Sequence, residues 1–326
     1  MKIGFTFDLR SAWLAMGYSE EETAEFDKES TIDGIASTLE ELGYEIDRIG
    51  NLHQLLERLT KGDRWDLVFN ICEGMHGVAR EAQVPALLDA YRIPYVFSAP
   101  LVLALTLDKG MTKRVIRDAG IPTADFSIVA VLNDIWKVNL KYPLFVKPIA
   151  EGSGKGISER SVVTSTEELH KSCEYLLNTF HQPVLVEPFL GGREFTVGIV
   201  GTSDKARVTG VMEIVLLDNA EKGVYSLSNK EQYEDRVQYL KIDDITRKQC
   251  ENVALEAYRV LGCEDGGRVD IRYDSTGEAN FIEVNPLPGL NPVHSDLPIL
   301  SRLHGISFSE LMKMIMDSAI AKVRSV

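Results

Sequence analysis

Apolar residues recur at intervals of two in short runs and of three or four in longer ones, and the two periods alternate along the first hundred residues. Side chains on a strand switch face at every step, whereas those on a helix return to one face every three or four residues. Lys2 to Phe7 is therefore predicted as strand, Thr31 to Leu42 as helix, Tyr44 to Ile49 as strand, Leu52 to Leu59 as helix and Leu67 to Ile71 as strand. Glu81 to Tyr91 gives a further helix, closed by Ile93-Pro94-Tyr95. Strands separated by helices build an open parallel sheet. Farther on, a helix from Met111 to Ala119 stops at Gly120 and Pro122. Strand-like runs flank a loop from Glu151 to Ser158, and Thr166 to Thr179 has the cap and acidic first turn of a helix. Strands follow from Gly191, then a polar stretch at Asp218 to Asp235, a long helix from Ile245 to Leu261 and a closing helix from Ser307 to Val323. No internal repeat interrupts this order.

Two alternating runs near the end, Arg268-Val-Asp-Ile-Arg-Tyr273 and Phe281-Ile-Glu-Val-Asn285, flank the turn residues Asp274-Ser-Thr-Gly-Glu278. Alternation puts Arg268 and Asp270 on one face of the first run, and Phe281, Glu283 and Asn285 on one face of the second. A loop of two or four residues pairs positions of odd sum and sets Asp270 beside Glu283. Two carboxylates and an amide oxygen suit a hard cation, Mg²⁺ or Mn²⁺, which needs few protein ligands. A solvated edge hairpin carrying ordinary acids is the competing reading.

The loop Glu151-Gly-Ser-Gly-Lys-Gly-Ile-Ser158 has three glycines among small and cationic residues, so its backbone amides can wrap phosphate oxygens. It is not a Walker A loop, because Ile149 and Gly156 stand where that motif needs glycine and a hydroxyl residue. A hairpin turn without a ligand would have the same composition. Lys147, inside the apolar run Leu144 to Pro148, favours an anionic or acceptor partner, since a buried lysine is costly alone. The first strand ends in Phe7-Asp-Leu-Arg10 without Gly-x-Gly-x-x-Gly, so a dinucleotide-type phosphate turn is missing.

Composition narrows the picture. A chain of 326 residues, 44% hydrophobic, fits two or three packed subdomains. A formal charge of −14 argues against nucleic acid or an anionic membrane as partner. Cys72, Cys173, Cys250 and Cys263 lack Cys-x-x-Cys spacing and are expected to be core thiols of a reducing compartment. No signal-length or membrane-spanning apolar run is present, which predicts a cytoplasmic protein.

Gly266-Gly-Arg-Val-Asp270 followed by Glu283-Val-Asn285 resembles the metal-binding end of an ATP-grasp ligase, and other matches fall in that family's order. They are Asp108-Lys109, Phe145-Val-Lys147-Pro with its glycine loop, and Leu185-Val-Glu187-Pro-Phe-Leu190 before Arg193-Glu194-Phe-Thr-Val197. Within the superfamily the chain is most similar to D-alanine–D-alanine ligases, whose stretch after the metal asparagine resembles Asn285-Pro-Leu-Pro-Gly289 through Pro298. The resemblance implies an α/β ATP-grasp fold. An N-terminal open parallel sheet domain (1–106) would precede two α+β subdomains (107–190 and 191–326) that enclose the nucleotide. ATP would phosphorylate a small-molecule carboxylate, and an amine would displace phosphate to form an amide or peptide bond.

The same resemblance assigns Lys109, Lys147 and the loop residues Ser153, Gly154, Lys155 and Gly156 to the nucleotide, with Ser153 also in the catalytic set. Glu187 would take the adenine amino group, Leu190 the adenine through its backbone, and Glu194 the ribose. Asp270, Glu283 and Asn285 would hold Mg²⁺, while Arg268 and the Gly289 amide would stabilise the oxyanion. Lys230, with Lys222 as second choice, would meet the transferred phosphate. Ser295 would anchor the second substrate's carboxylate, and a homodimer is the family expectation.

The amino-acid end departs from the pattern. Phe26 stands at the expected amine-binding glutamate, leaving Asp27, Glu25 or Glu29 to replace it, while Arg10 and Arg80 are added nearby and Asp296 follows Ser295 where an apolar residue is expected. D-Alanine is therefore expected to be a poor substrate. The same chemistry on another amino acid, peptide or hydroxy acid is an alternative, as is a nucleotide-binding regulator without turnover.

Overall fold

The computed structural model describes residues 1–221 and 223–323. Its strands form three sheets. In the first, β1 (Lys2–Phe7) lies between β2 (Glu45–Gly50) and β3 (Leu67–Ile71), all parallel, as the alternation with helices Glu29–Glu41 and Leu52–Thr60 requires. The second sheet contains β4 (Ser127–Val129), β5 (Leu144–Pro148), β6 (Val162–Val163) and β7 (Val184–Pro188) in the order β4-β7-β5-β6. The third contains β8 (Glu194–Val200), β9 (Arg207–Leu216), β10 (Val237–Leu240), β11 (Gly266–Tyr273) and β12 (Ala279–Asn285) in the order β10-β9-β8-β11-β12. Both later sheets are antiparallel.

Each antiparallel sheet has one dry face. Helix Thr166–Phe180 packs Leu169, Cys173 and Leu176 against Leu144, Val146, Val184 and Val186. Helix Asp244–Val260 packs Cys250, Ala254, Ala257 and Tyr258 against Phe195, Val197, Val269, Ile271 and Phe281. Strand geometry then sends the intervening side chains to the other face, Phe145, Lys147 and Glu187 on one sheet and Thr196, Asp270 and Glu283 on the other. The last helix, Phe308–Val323, returns to the first sheet, where Leu311, Met312, Ile315 and Met316 share a core with Ile3, Phe5 and Phe69.

The hairpin β11–β12 departs from its expected shape in two ways that compensate. Tyr273 pairs with Ala279, so the connection is Asp274–Glu278, five residues rather than two or four, and the pairing there has an even sum. The register then shifts between Asp270 and Ile271, leaving Ile282 as an extra residue, and Asp270 pairs with Glu283 and Arg268 with Asn285. A bulge of this kind inverts the facing of everything beyond it. Phe281 therefore does not share the face of Glu283 and Asn285; it pairs with Ile271 and is fully buried. Sequence periodicity also passes over helices Arg10–Ala15, Pro100–Leu107 and Asp296–Leu303, and the polar stretch at Asp218 to Asp235 includes two short helices, Leu227–Glu231 and Tyr233–Arg236.

Candidate functional site

The wet faces of the two antiparallel sheets line one cavity. Lys109, Phe145, Lys147, Glu187, Leu190, Glu194, Lys230, Asp270 and Glu283 all contribute to its wall, with Gly154 and Lys155 of the glycine loop. Glu187 is its electrostatic anchor. It is 4% exposed and lies 3.1 Å from the Lys147 ammonium and 2.9 Å from that of Lys113. Against the upward push of burial, the two ammonium groups hold its carboxyl down at about 2, so it is an anion at neutral pH. Lys147 is held up by Glu187 against the effect of burial, and Lys113 is pushed down because burial outweighs its partner.

Lys113 is a site residue that the sequence reading missed. Its side chain is fully buried, and its ammonium also donates to Thr123 Oγ1 at 2.7 Å, which in turn donates to the Phe281 carbonyl. The signal was present, because Lys109, Thr112, Lys113 and Ile116 form the buried stripe of helix Lys109–Asp118. A lysine in such a stripe needs an anion.

The glycine loop follows β5 directly. Gly154 and Gly156 take φ of 80° and 72°, the left-handed region that glycine occupies without strain. A Cβ on Gly154 would stand 2.9 Å from the Leu227 amide nitrogen, so the loop packs against the segment that carries Lys230. Lys230 lies 4.6 Å from the Tyr225 ring centre. The alternative Lys222 lies outside the described residues. Lys155 pairs with Glu151 at 2.6 Å and approaches Glu25 at 3.7 Å. Glu194 pairs with Arg272 at 3.2 Å.

Asp270 and Glu283 meet across the hairpin, each from its own strand. Asp270 accepts from Thr196 Oγ1 at 2.8 Å and from Arg268 at 2.8 Å, and the Asn285 amide reaches it at 3.4 Å. Lys109 stands 3.6 Å from Glu283. Burial pushes the Asp270 carboxyl up, Arg268 pulls it down and Glu283 raises it again. Burial also works against ionised Glu283, yet Lys109, Lys147, Lys230 and Arg268 hold that group down at about 2. Two opposed carboxylates, with Glu283 raising the proton affinity of Asp270 and an amide side chain beside them, fit a divalent cation by donor type. Arg268 does not bridge to Glu283; it pairs with Asp270 and, at 3.3 Å, with Asp296, whose other oxygen accepts from Tyr225. The arginine is only 8% exposed, so carboxylates on two sides fix its guanidinium.

A second cavity adjoins the first and shares Lys109, Glu151 and Glu283 with it. Its wall includes Arg268, Asn285, Ser153, Gly289 and the acids Glu25, Asp27, Glu73 and Glu81. Phe26 is buried against Trp13, with ring centres 5.5 Å apart, and its two neighbours reach the cavity. Glu25 is held by Arg80 at 2.8 Å and by the Gly152 amide at 2.6 Å. Glu29 is exposed and bonds Ser11 instead. Arg10 turns away to Glu20. Ser295 Oγ accepts from the Asn291 amide at 2.9 Å, beside Gly289, where a Cβ would stand 2.9 Å from that oxygen.

Burial raises the carboxyls of Asp27 and Glu81 to about 7. Arg80 and Lys109 pull Glu81 down, but the nearby Glu25 raises it. A folded-state value above the ordinary carboxylate range means that the folded protein keeps its proton when the unfolded chain has lost it. Stability is thus greatest below the unfolded values and falls as pH rises toward 7. The melting temperature of the ligand-free protein should drop between about pH 5 and about pH 7.5, with a shallower slope in Glu81→Gln. A melting temperature that rises across this interval would contradict the burial of these acids.

The family model for the C-terminus of D-ala D-ala ligase matches residues 115–317. A D-alanine–D-alanine ligase of Bordetella avium is 34% identical over 266 residues, 80% of each chain. One of Aquifex aeolicus is 32% identical over 287 residues, 86% of this chain and 91% of the relative. The fold matches the crystal structure of D-alanine–D-alanine ligase from Bacillus anthracis complexed with ATP, with a TM-score of 0.75 over 100% of this chain and 99% of the other at 22% identity.

Proposed function

The chain belongs to the D-alanine–D-alanine ligase family of ATP-dependent ligases, and from that premise we propose how its own residues divide the work. ATP lies between the second and third sheets, with its base toward Glu187 and Lys147 and its phosphates toward Lys109, Lys155 and the Ser153 to Gly156 loop. The observation that carries this reading is the Glu187–Lys147 pair on the cavity wall, with the fully buried Lys113 as the second partner of Glu187. An ionised carboxylate accepts from the adenine amino group, and lysines supply charge for phosphate. The Leu190 backbone borders the base, and Glu194, on the same wall, accepts from the ribose hydroxyls.

Asp270, Glu283 and Asn285 are the residues that would hold Mg²⁺, which when bound neutralises phosphate charge and orients the transferred group. Lys230 reaches the phosphate from the facing segment. The substrate carboxylate enters the second cavity and its oxygen attacks the γ-phosphorus as ADP departs; the amine then adds to the acyl carbon, and phosphate leaves as the amine nitrogen loses its proton. Arg268 and the Gly289 amide stabilise the oxyanion of that addition, because both stand on the cavity wall and Arg268 is already fixed. Asp27 takes the amine of the first amino acid, and Ser295 lies at the second. The segments 1–106, 107–190 and 191–326 contribute the amino-acid wall, the nucleotide loop and the hairpin. Among the described residues no helix is long and apolar enough to cross a membrane, and all four cysteines are free and buried. Free, buried thiols suit a reducing compartment such as the cytoplasm.

Phosphate release from ATP, followed across amino acids and amines, tests the reading. Release that depends on both a carboxylate and an amine is expected, with D-alanine pairs slower than the preferred substrates. ATP binding with no release in any combination would instead favour a regulatory protein. Lys113→Met should raise KM for ATP by about tenfold and leave kcat nearly unchanged, because it removes one charged partner of Glu187 far from the reacting atoms. An equal fall in kcat would contradict the base-end placement.

A further inference from the structure

Charges on the wall of the second cavity are unevenly matched. Of its acids, Glu25 is engaged by Arg80 at 2.8 Å and Lys155 at 3.7 Å, Glu151 by Lys155, and Glu283 by Lys109. Asp27, Glu73 and Glu81 line the same cavity, and among the described residues none has a cation within 4.0 Å. Neither the Glu73 nor the Glu81 carboxyl has a hydrogen-bond partner among those residues. Partly buried carboxylates without partners are expensive unless a ligand completes them.

Their position says what would complete them. The cavity opens onto Arg268, Asn285 and Gly289 and shares three wall residues with the nucleotide cavity, so a substrate carboxylate held at that end points the rest of its molecule toward the acids. One ammonium group, the α-amine of any amino acid, matches one carboxylate and leaves two. We propose that the amino acid activated by this enzyme carries a second cationic group on its side chain, as lysine, ornithine and arginine do, and that Glu73 and Glu81 select it. This rests on the ligase reading given above and deepens it. Raised proton affinities of Glu73 and Glu81 agree: burial lifts both, Glu81 and Glu25 lift Glu73 further and Glu25 lifts Glu81, so the acids are poised to ionise when a cation arrives. A neutral side chain of the same length would leave both carboxyls desolvated and unmatched, the situation in which sites reject an isostere strongly.

Phosphate release with ATP and Mg²⁺ would be measured for lysine against norleucine and for ornithine against norvaline, in both stereochemical series, with nucleotide binding followed separately by calorimetry. The cationic member of each pair should have the higher kcat/KM by about tenfold to a hundredfold, the range set by a charged hydrogen bond. Glu81→Gln and Glu73→Gln should each shrink that ratio, with circular dichroism reporting that the fold is kept. Release with norleucine or alanine equal to or above that with lysine overturns the substrate class and leaves the ligase reading standing. Nucleotide binding without release for any amino acid overturns both.

Discussion

Glu283→Gln should abolish divalent-cation-dependent phosphate release, lowering kcat by about a thousandfold or more while nucleotide binding persists. The substitution keeps side-chain volume and removes one of the two charges that face each other across β11 and β12. Charge neutralisation at a transferring phosphoryl group is worth several kcal/mol, and each ~1.4 kcal/mol is a factor of ten in rate. The fold should survive, because the repulsion that Glu283 exerts on Asp270 is relieved as its attraction to Lys109 is lost. Circular dichroism with stopped-assay phosphate measurement separates the two effects. Turnover within a few fold of the parent would remove the hairpin from the chemistry.

Lys147→Met should have the second-largest effect, on the nucleotide. Lys147 is 3% exposed, 3.1 Å from Glu187, and the methionine keeps most of its apolar stem while deleting the charge. A charged hydrogen bond in a desolvated site is worth roughly 1.5–3 kcal/mol, so ATP affinity should fall at least about tenfold. Glu187 would retain only Lys113, and its carboxyl should rise from about 2 toward the ordinary range. Calorimetric titration of ATP into both proteins measures this. Equal affinities would place the nucleotide elsewhere.

Why some features were readable and others were not follows from the physics of each. Strand β3 was read to the residue, since Leu67–Ile71 is a short apolar run that one strand buries on both faces. Glu283 and Asp270 were placed together because carboxylates in alternating runs carry a strong signal, yet the route was wrong: a five-residue turn and a bulge at Ile282 changed the count twice. Bulges leave no compositional mark, so their presence is a tertiary outcome. Helix Pro100–Leu107 was missed because Pro-Leu-Val-Leu-Ala-Leu-Thr-Leu is apolar on every side and shows no period. Asp296–Leu303 was missed through the proline at its third position, which a first turn tolerates. At the amino-acid end, residue identity named Glu25, Asp27 and Glu29 without choosing among them. Packing adds what identity lacks: it turns Phe26 toward Trp13 and engages Glu25 with Arg80.

Oxygen transfer tests the acyl phosphate directly. The carboxylic acid that supports turnover would be labelled with ¹⁸O in both carboxylate oxygens and incubated with enzyme, ATP, Mg²⁺ and the amine, and the released phosphate analysed by mass spectrometry. Attack of the substrate carboxylate on the γ-phosphorus leaves one labelled oxygen in each phosphate and one in the amide. Unlabelled phosphate, released in step with product, would contradict carboxylate activation at this site.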